Sequence, residues 1–360
     1  MKVLMKGNEA VAEAAIRSGC RHYFAYPITP QSELIEYMAK MMPKVGGTFL
    51  QAESEVAAIN MVYGAAGCGK RVMTSSSSPG ISLKQEGISY IAGANLPCVI
   101  VNVQRGGPGL GDIQPAQGDY YQATRGGGHG DYRTIVLAPS TVQEFADMAS
   151  LAFDLADKYR CPALILSDGM LGQMMEAVEF QEPVSAEEME RQDKLHWDWC
   201  MHANQDEPNR HHHEINSLEL DPQVLEQHVL RLNDKYLKIE AAEKRWEEYN
   251  IQPDNEILCV AFGTASRIVK SAIDDLKEEG INIGLLRPIT LWPFPGEAIV
   301  NAITPKTKLV YTFEFNLGQM VEDVRLAING RVPVEFYGKV GGVVFTPDEI
   351  KAQLLRALKG

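Results

Sequence analysis

Four short stretches concentrate the residues able to do chemistry. Gln51-Ala52-Glu53-Ser54-Glu55 places two carboxylates just ahead of VAAINMVYGAA, a run with helical apolar spacing. A carboxyl group packed among Val56, Ala57, Ala58 and Ile59 would interact strongly with a proton donor facing it. The same two acids also suit a plainer task, complementing the positive end of a helix. Gln104-Arg105-Gly106-Gly107-Pro108 ends an apolar run on an arginine followed by glycines, which let backbone approach a ligand closely. A planar guanidinium grips a carboxylate with paired hydrogen bonds, in a ligand or in a surface ion pair. Thr29-Pro30 has the order of an N-cap and a first helical residue. The serine stretch Ser75–Gly80, with Ser77, Ser78, Pro79 and Gly80 at its end, either cradles a ligand or only turns the chain.

Two tempting motifs fail on context. GAAGCGK (64–70) nearly matches a phosphate-binding loop, but Arg71 stands where Ser or Thr would hold magnesium. It also runs from helix into strand, the reverse of what such a loop requires; a helix C-cap glycine explains it. GGPGLG (106–111) lacks the dinucleotide-binding spacing and does not follow the first strand. The run His211-His212-His213 reads as a solvated turn within EPNRHHHEIN, metal binding being the rarer use of such a tract. GTAS (263–266) opens a helix, where an anion could bind, although a glycine at a strand–helix turn is often purely steric.

The elements that must position these groups follow from apolar periodicity. Candidate strands at 22–26, 47–51, 71–75, 97–103, 134–138 and 162–167 alternate with helical patterns. That rhythm predicts an α/β fold, a parallel sheet with helices on both faces. The chemistry-bearing stretches each follow a strand, where open α/β sheets bind ligands. Residues 1–180 form the expected first domain. Residues 181–253 are charged, with few strand signals, and read as a linker carrying at least one exposed helix. Alternation resumes over 254–360, a second α/β domain with strands at 256–263, 281–287 and 308–314. The N-terminus, MKVLMKGNEAVAEAAIRSG, reads as a folded helix because Glu9 and Glu13 interrupt it, unlike a signal peptide.

Composition excludes several classes. A net charge of −13 disfavours a nucleic-acid partner and weakens docking of an acidic electron carrier by this chain alone. No apolar run reaches the roughly 18–20 residues that a membrane-spanning helix needs. Six cysteines, at 20, 68, 98, 161, 200 and 259, form no CxxC pair. Neither a zinc ribbon nor an iron–sulfur cluster is expected from them, and they suit a reducing cytoplasm.

Taken together, YPITP, QAESE, SSSSPG and QRGGP, in that order and spacing, resemble the alpha subunit of the 2-oxoacid:ferredoxin oxidoreductases. GNEAVAEAAIRSGC and GTASRIVKSAI…LLRPITLWPFP extend the resemblance over nearly the whole chain. It implies a pyrimidine-type thiamine diphosphate-binding domain followed by one like the transketolase C-terminal domain. QAESEVAAINMVYGAA, SSSSPGISL and GGPGLGDIQPAQGDYYQATRGGGHGDY look like the branched-chain, 2-oxoisovalerate-oxidising type; the 2-oxoglutarate type is the alternative. The implied reaction is oxidative decarboxylation with coenzyme A, giving acyl-CoA, carbon dioxide and reduced ferredoxin. By resemblance Glu55 is the catalytic carboxylate bonded to the cofactor's pyrimidine N1′, with Glu53 as fallback. Thr29 and Arg105 would meet the substrate carboxylate, and Thr29 with Ser77–Gly80 the cofactor; coenzyme A contacts stay unassigned.

Absences sharpen this reading. The magnesium-diphosphate signature of thiamine enzymes, GDG followed by NN, does not occur, and Asp168-Gly169 lacks the preceding glycine. The expectation is a partner beta subunit holding magnesium diphosphate, with iron–sulfur clusters in a ferredoxin-like subunit and a gamma subunit beside it. Two other readings stay open: a non-oxidative thiamine decarboxylase half-subunit, and a non-catalytic assembly protein that kept the fold.

Overall fold

The run Cys98–Gln104 is buried on both faces along all seven residues, as a central strand of a parallel sheet must be. The computed structural model, which describes residues 2–201 and 213–359, builds outward from it. Its strands are β1 (Lys2–Lys6), β2 (His22–Ala25), β3 (Thr48–Gln51), β4 (Val72–Ser76), β5 (Cys98–Gln104), β6 (Ile135–Leu137), β7 (Pro162–Asp168), β8 (Met175–Glu179), β9 (Trp246–Tyr249), β10 (Ile257–Ala261), β11 (Gly284–Pro288), β12 (Thr290–Trp292), β13 (Leu309–Glu314) and β14 (Val334–Gly338). Its helices are α1 (Gly7–Arg17), α2 (Ser32–Met41), α3 (Glu55–Gly67), α4 (Ser78–Gly93), α5 (Tyr120–Arg125), α6 (Val142–Tyr159), α7 (Gly169–Gln173), α8 (Ala186–Lys194), α9 (Pro222–Ala242), α10 (Gly263–Glu278), α11 (Gly296–Ala302), α12 (Met320–Ile328) and α13 (Pro347–Lys359).

The first sheet has the order β12-β6-β7-β5-β4-β2-β3, parallel except where β12 meets β6. The second has the order β14-β13-β10-β11-β9, parallel except for β9. The expected α/β class with two open, largely parallel sheets is what the chain adopts. Right-handed crossovers put α2 and α6 on one face of the first sheet and α3 and α4 on the other. Gly87 allows the second pair to close up: a Cβ there would lie 2.5 Å from Ile59 Cγ2 of α3.

Three features depart from the sequence expectations. The first residues are not helical, because Lys2–Lys6 pair antiparallel with β8. The helix begins only at Gly7, where a Cβ would stand 2.1 Å from Leu171 O. The charged stretch after 180 holds α8 and α9. The longer helix α9 buries Leu232, Tyr236 and Ile239 along one stripe. Its Lys235 Nζ donates to Asn95 Oδ1 at 2.7 Å and Arg160 O at 3.0 Å, tying the helix to the first sheet's layer. Finally, the sheets exchange strands. β12, at residues 290–292, joins the first sheet, while β9, at 246–249, edges the second. His213 Nδ1 lies 3.1 Å from Cys200 O; His211 and His212 fall outside the described residues.

Side chains reinforce the union. Arg287 of β11 is buried and donates to both Glu144 oxygens of α6, at 2.5 and 2.9 Å, and to Glu247 Oε2 of β9 at 2.7 Å. Tyr120 OH donates to Asp323 Oδ2 at 2.5 Å. Five of the six cysteines are buried and Cys68 is exposed. Among the described residues no helix is long and apolar enough to cross a membrane.

Candidate active site

In the first sheet β2 and β4 are neighbours, yet their following helices, α2 and α4, leave to opposite faces. This is the switch point where a crevice opens beyond the strand ends. The loop after β2 carries Thr29, and the end of β4 carries Ser77. Glu55 arrives from the next connection, β3 to α3, and Arg105 from the end of β5. The carboxyl ends of β2, β3, β4 and β5 thus carry Thr29, Glu55, Ser77 and Arg105.

Glu55 is the first residue of α3, after Ser54, whose hydroxyl caps the helix by accepting from Ala57 N at 3.2 Å. Capping therefore falls to Ser54. Glu55 itself is buried, whereas Glu53 is exposed. Among the described residues no donor satisfies the Glu55 carboxylate. It packs on α4, where a Cβ on Gly80 would stand 2.7 Å from Glu55 Oε1 and 2.0 Å from Ser76 Oγ. The hydroxyls of Ser76 and Ser77 beside it are buried and have no hydrogen-bond partner among the described residues. Ser75 and Ser76 belong to β4, so the serine stretch is half strand; Ser77 is the N-cap and Ser78 and Pro79 open α4.

Thr29 does not cap α2. The helix starts at Ser32, with Gln31 before it, because the buried Gln31 amide is claimed by the Ser75 hydroxyl at 2.5 Å. Thr29 is instead exposed at the mouth of the crevice, and Pro30 O is anchored by Asn8 Nδ2 at 2.8 Å. Arg105 is buried, not a surface ion pair: Nη1 donates to Thr29 O at 3.1 Å and Nη2 to Leu110 O at 2.9 Å, while Nε is unpartnered. Two backbone carbonyls thus aim the guanidinium beside Thr29.

Sequence reading missed Asp119. Its Oδ2 accepts from Ser78 Oγ at 2.6 Å and Asn102 Nδ2 at 2.8 Å, and Ser78 Oγ accepts from Arg105 N at 3.1 Å. Burial pushes the Asp119 carboxyl up, and the Ser78 and Asn102 hydrogen bonds only partly offset it. In sequence Asp119 is one more acid in a Gly-rich loop, and no local pattern marks it. The helix opening at GTAS is closed by protein: Gln117 Nε2 donates to Phe262 O at 2.9 Å, and Thr264 Oγ1 donates to Asp168. Gly263 has φ +55°, so its role there is steric.

Residues 13–248 match the family model described as pyruvate flavodoxin/ferredoxin oxidoreductase, thiamine diphosphate-binding, and residues 255–350 match pyruvate:ferredoxin oxidoreductase core domain II. The chain belongs to the 2-oxoacid:ferredoxin oxidoreductases. It is a subunit of their alpha type. Ketoisovalerate oxidoreductase subunit VorB of Methanothermobacter thermautotrophicus is 50% identical over 94% of this chain and 93% of its own. 2-Oxoglutarate synthase subunit KorA of Methanocaldococcus jannaschii is 38% identical over 99% of this chain and 100% of its own. The structure of 2-oxoglutarate:ferredoxin oxidoreductase from Magnetococcus marinus, with 2-oxoglutarate, coenzyme A and succinyl-CoA bound, superposes at TM-score 0.82 and 28% identity. That match covers 99% of this chain, which spans 65% of the Magnetococcus chain.

The site of this oxidoreductase subunit fits the pyrimidine half of thiamine diphosphate. It offers a donor-free carboxylate, two orphaned hydroxyls and a helix start that only glycine permits. Gly80→Ala is expected to push Glu55 off its seat and weaken thiamine diphosphate binding by at least about tenfold, roughly one lost hydrogen bond to a charged group. Titrating the assembled complex with cofactor checks this.

Proposed function

We propose that this chain is the alpha-type subunit of an enzyme that oxidatively decarboxylates a branched-chain 2-oxoacid, 2-oxoisovalerate, with coenzyme A. The products are acyl-CoA, carbon dioxide and reduced ferredoxin. The observation that carries the substrate choice is a cavity of about 770 Å³ at Thr29. Ile113, Met170, Met174 and Val344 line it, with Gln114, Gln173 and the Glu33 carboxylate at its polar side, and among the described residues no lysine or arginine does. An apolar side chain suits that lining, whereas the second carboxylate of 2-oxoglutarate would call for a cation. The 50% identity to a ketoisovalerate oxidoreductase subunit supports the same choice.

Bound thiamine diphosphate supplies a nucleophilic carbon and an electron sink. Glu55 would hold the pyrimidine N1′ through its carboxylate, and the ring so held would supply a proton relay at its amino group. Ser77, Ser78, Pro79 and Gly80 would line the cofactor's seat. The Arg105 guanidinium, held between Thr29 O and Leu110 O, and the Thr29 hydroxyl face the substrate carboxylate. Magnesium diphosphate binds a partner beta subunit, and electrons leave through iron–sulfur clusters of a ferredoxin-like subunit, with a gamma subunit completing a cytoplasmic assembly. The unpaired outer faces of α3 and α4, where Val56, Leu83 and Tyr90 are exposed, suit the beta partner.

Purifying the complex with its native partners tests this reading. Dye reduction should be fastest with 2-oxoisovalerate, slower with 2-oxoglutarate and pyruvate, and dependent on coenzyme A. Release of free aldehyde in place of acyl-CoA would instead identify a non-oxidative decarboxylase. Reduction of the dye by this chain alone would refute the shared site.

A further inference from the structure

Lys84 lies in α4 and is the one buried lysine among the described residues, with no solvent exposure. Its Nζ donates to Thr74 Oγ1 of β4 at 3.0 Å, its one hydrogen bond among those residues. An ammonium carries three donors, and a buried charge persists only beside a compensating one. Residues four apart share a helix face, so Lys84 lies one turn along from Gly80, against which Glu55 Oε1 packs. We propose that Lys84 is a positioning residue that keeps Glu55 ionised when the cofactor is bound.

The surroundings leave Glu55 as the counter-charge. On α3 it is the one acidic or basic side chain. β4 carries none, and β5 contributes only Cys98, whose thiol burial pushes up and keeps neutral. Asp168, at the end of β7, is engaged by Thr264 Oγ1 and by Met170 N and Leu171 N. Asp119 is held by Ser78 and Asn102. Glu86 of α4 accepts from Tyr90 OH at the surface, His129 packs edge-on to Tyr90, and Tyr132 OH meets Gln85. Burial brings the Lys84 ammonium down to about 8, and the Glu55 charge partly restores it. Cofactor binding at Glu55 would take water from the carboxylate, and desolvation disfavours the charged form of a carboxyl group. The nearby ammonium opposes that protonation and preserves the acceptor that N1′ needs.

The proposal rests on the assignment of Glu55 and is tested in the complex with native partners. Lys84→Met removes charge and hydrogen bond; Lys84→Gln removes the charge and keeps a donor for Thr74. Losing a nearby cation moves a carboxylate up by about one pH unit or more. Both variants should shift the acid limb of kcat/KM upward by that amount. The acid midpoint of thiamine diphosphate affinity, read by titration without turnover, should shift with it. Lys84→Arg should restore both. Unmoved limbs and midpoints in both variants, with Glu55→Gln still inactive, would overturn the role of Lys84 alone. A fully active Glu55→Gln complex with unchanged cofactor affinity would overturn the Glu55 assignment and this proposal with it.

Discussion

Glu55→Gln should lower turnover of the assembled complex by about 10²–10⁴-fold, the span general acid–base groups contribute, while leaving the fold and subunit assembly intact. Glutamine matches the volume and can still accept a hydrogen bond, but it cannot carry the charge that stabilises a protonated N1′. Glu53→Gln is the matched control. Glu53 is exposed at the loop before α3, so its substitution should change turnover by less than about twofold, within the small effects typical of exposed substitutions. Circular dichroism and co-purification with partners establish that the folded complex is intact, and steady-state dye reduction reads the difference. Undiminished turnover in Glu55→Gln would favour a non-catalytic assembly role.

The second large effect concerns stability. Arg287→Met should destabilise the chain by about 3 kcal/mol, the lower end of the cost of breaking a buried pair. The lower end applies because the Glu144 and Glu247 side chains are 30% and 33% exposed and can be rehydrated. Burial pushes both carboxyls up. At Glu144 the Arg287 charge and hydrogen bonds, joined by Ser140, outweigh it; at Glu247 the Lys270 hydrogen bond leads and Arg287 joins it, and both carboxyls come below the ordinary range. A carboxyl lowered in the folded state contributes stability above its unfolded value and loses it on acidification. The gap between wild type and Arg287→Met should therefore be full at neutral pH and close as pH falls through those lowered values. Urea titrations at several pH values measure it.

The parts legible in sequence were those that local chemistry enforces. Short apolar runs marked β4, β5 and β7, and Ser77, Arg105 and Asp168 stand at or just past their ends. Glu55 took its role from the family resemblance, since an acid opening an otherwise apolar helix equally suits the helix end. What escaped was non-local. Thr29-Pro30 has the order of a helix start, yet the tertiary bond from Ser75 to Gln31 moved the start to Ser32. The strand at Lys2–Lys6 depends on β8, which lies some 170 residues away. Nothing local in SLKQEG marks Lys84; its place comes from the helical row of Gly80, Lys84 and Ile88. Asp119 gains its place only from Ser78 and Asn102, which come from two other elements.

The strand exchange bears on how such a chain can be divided or rearranged. Ending it near residue 253 would strip β12 from β6 and leave the first sheet with a raw edge, an invitation to edge-to-edge aggregation. Starting it near 254 would take β9 from β11 and remove Glu247 from Arg287. Gene fission or module swapping at that junction would thus leave two sticky halves, whereas cuts before β9 and after β12 would have to be made together. The region between the two crossings behaves as a clasp, and its inheritance should be all or nothing.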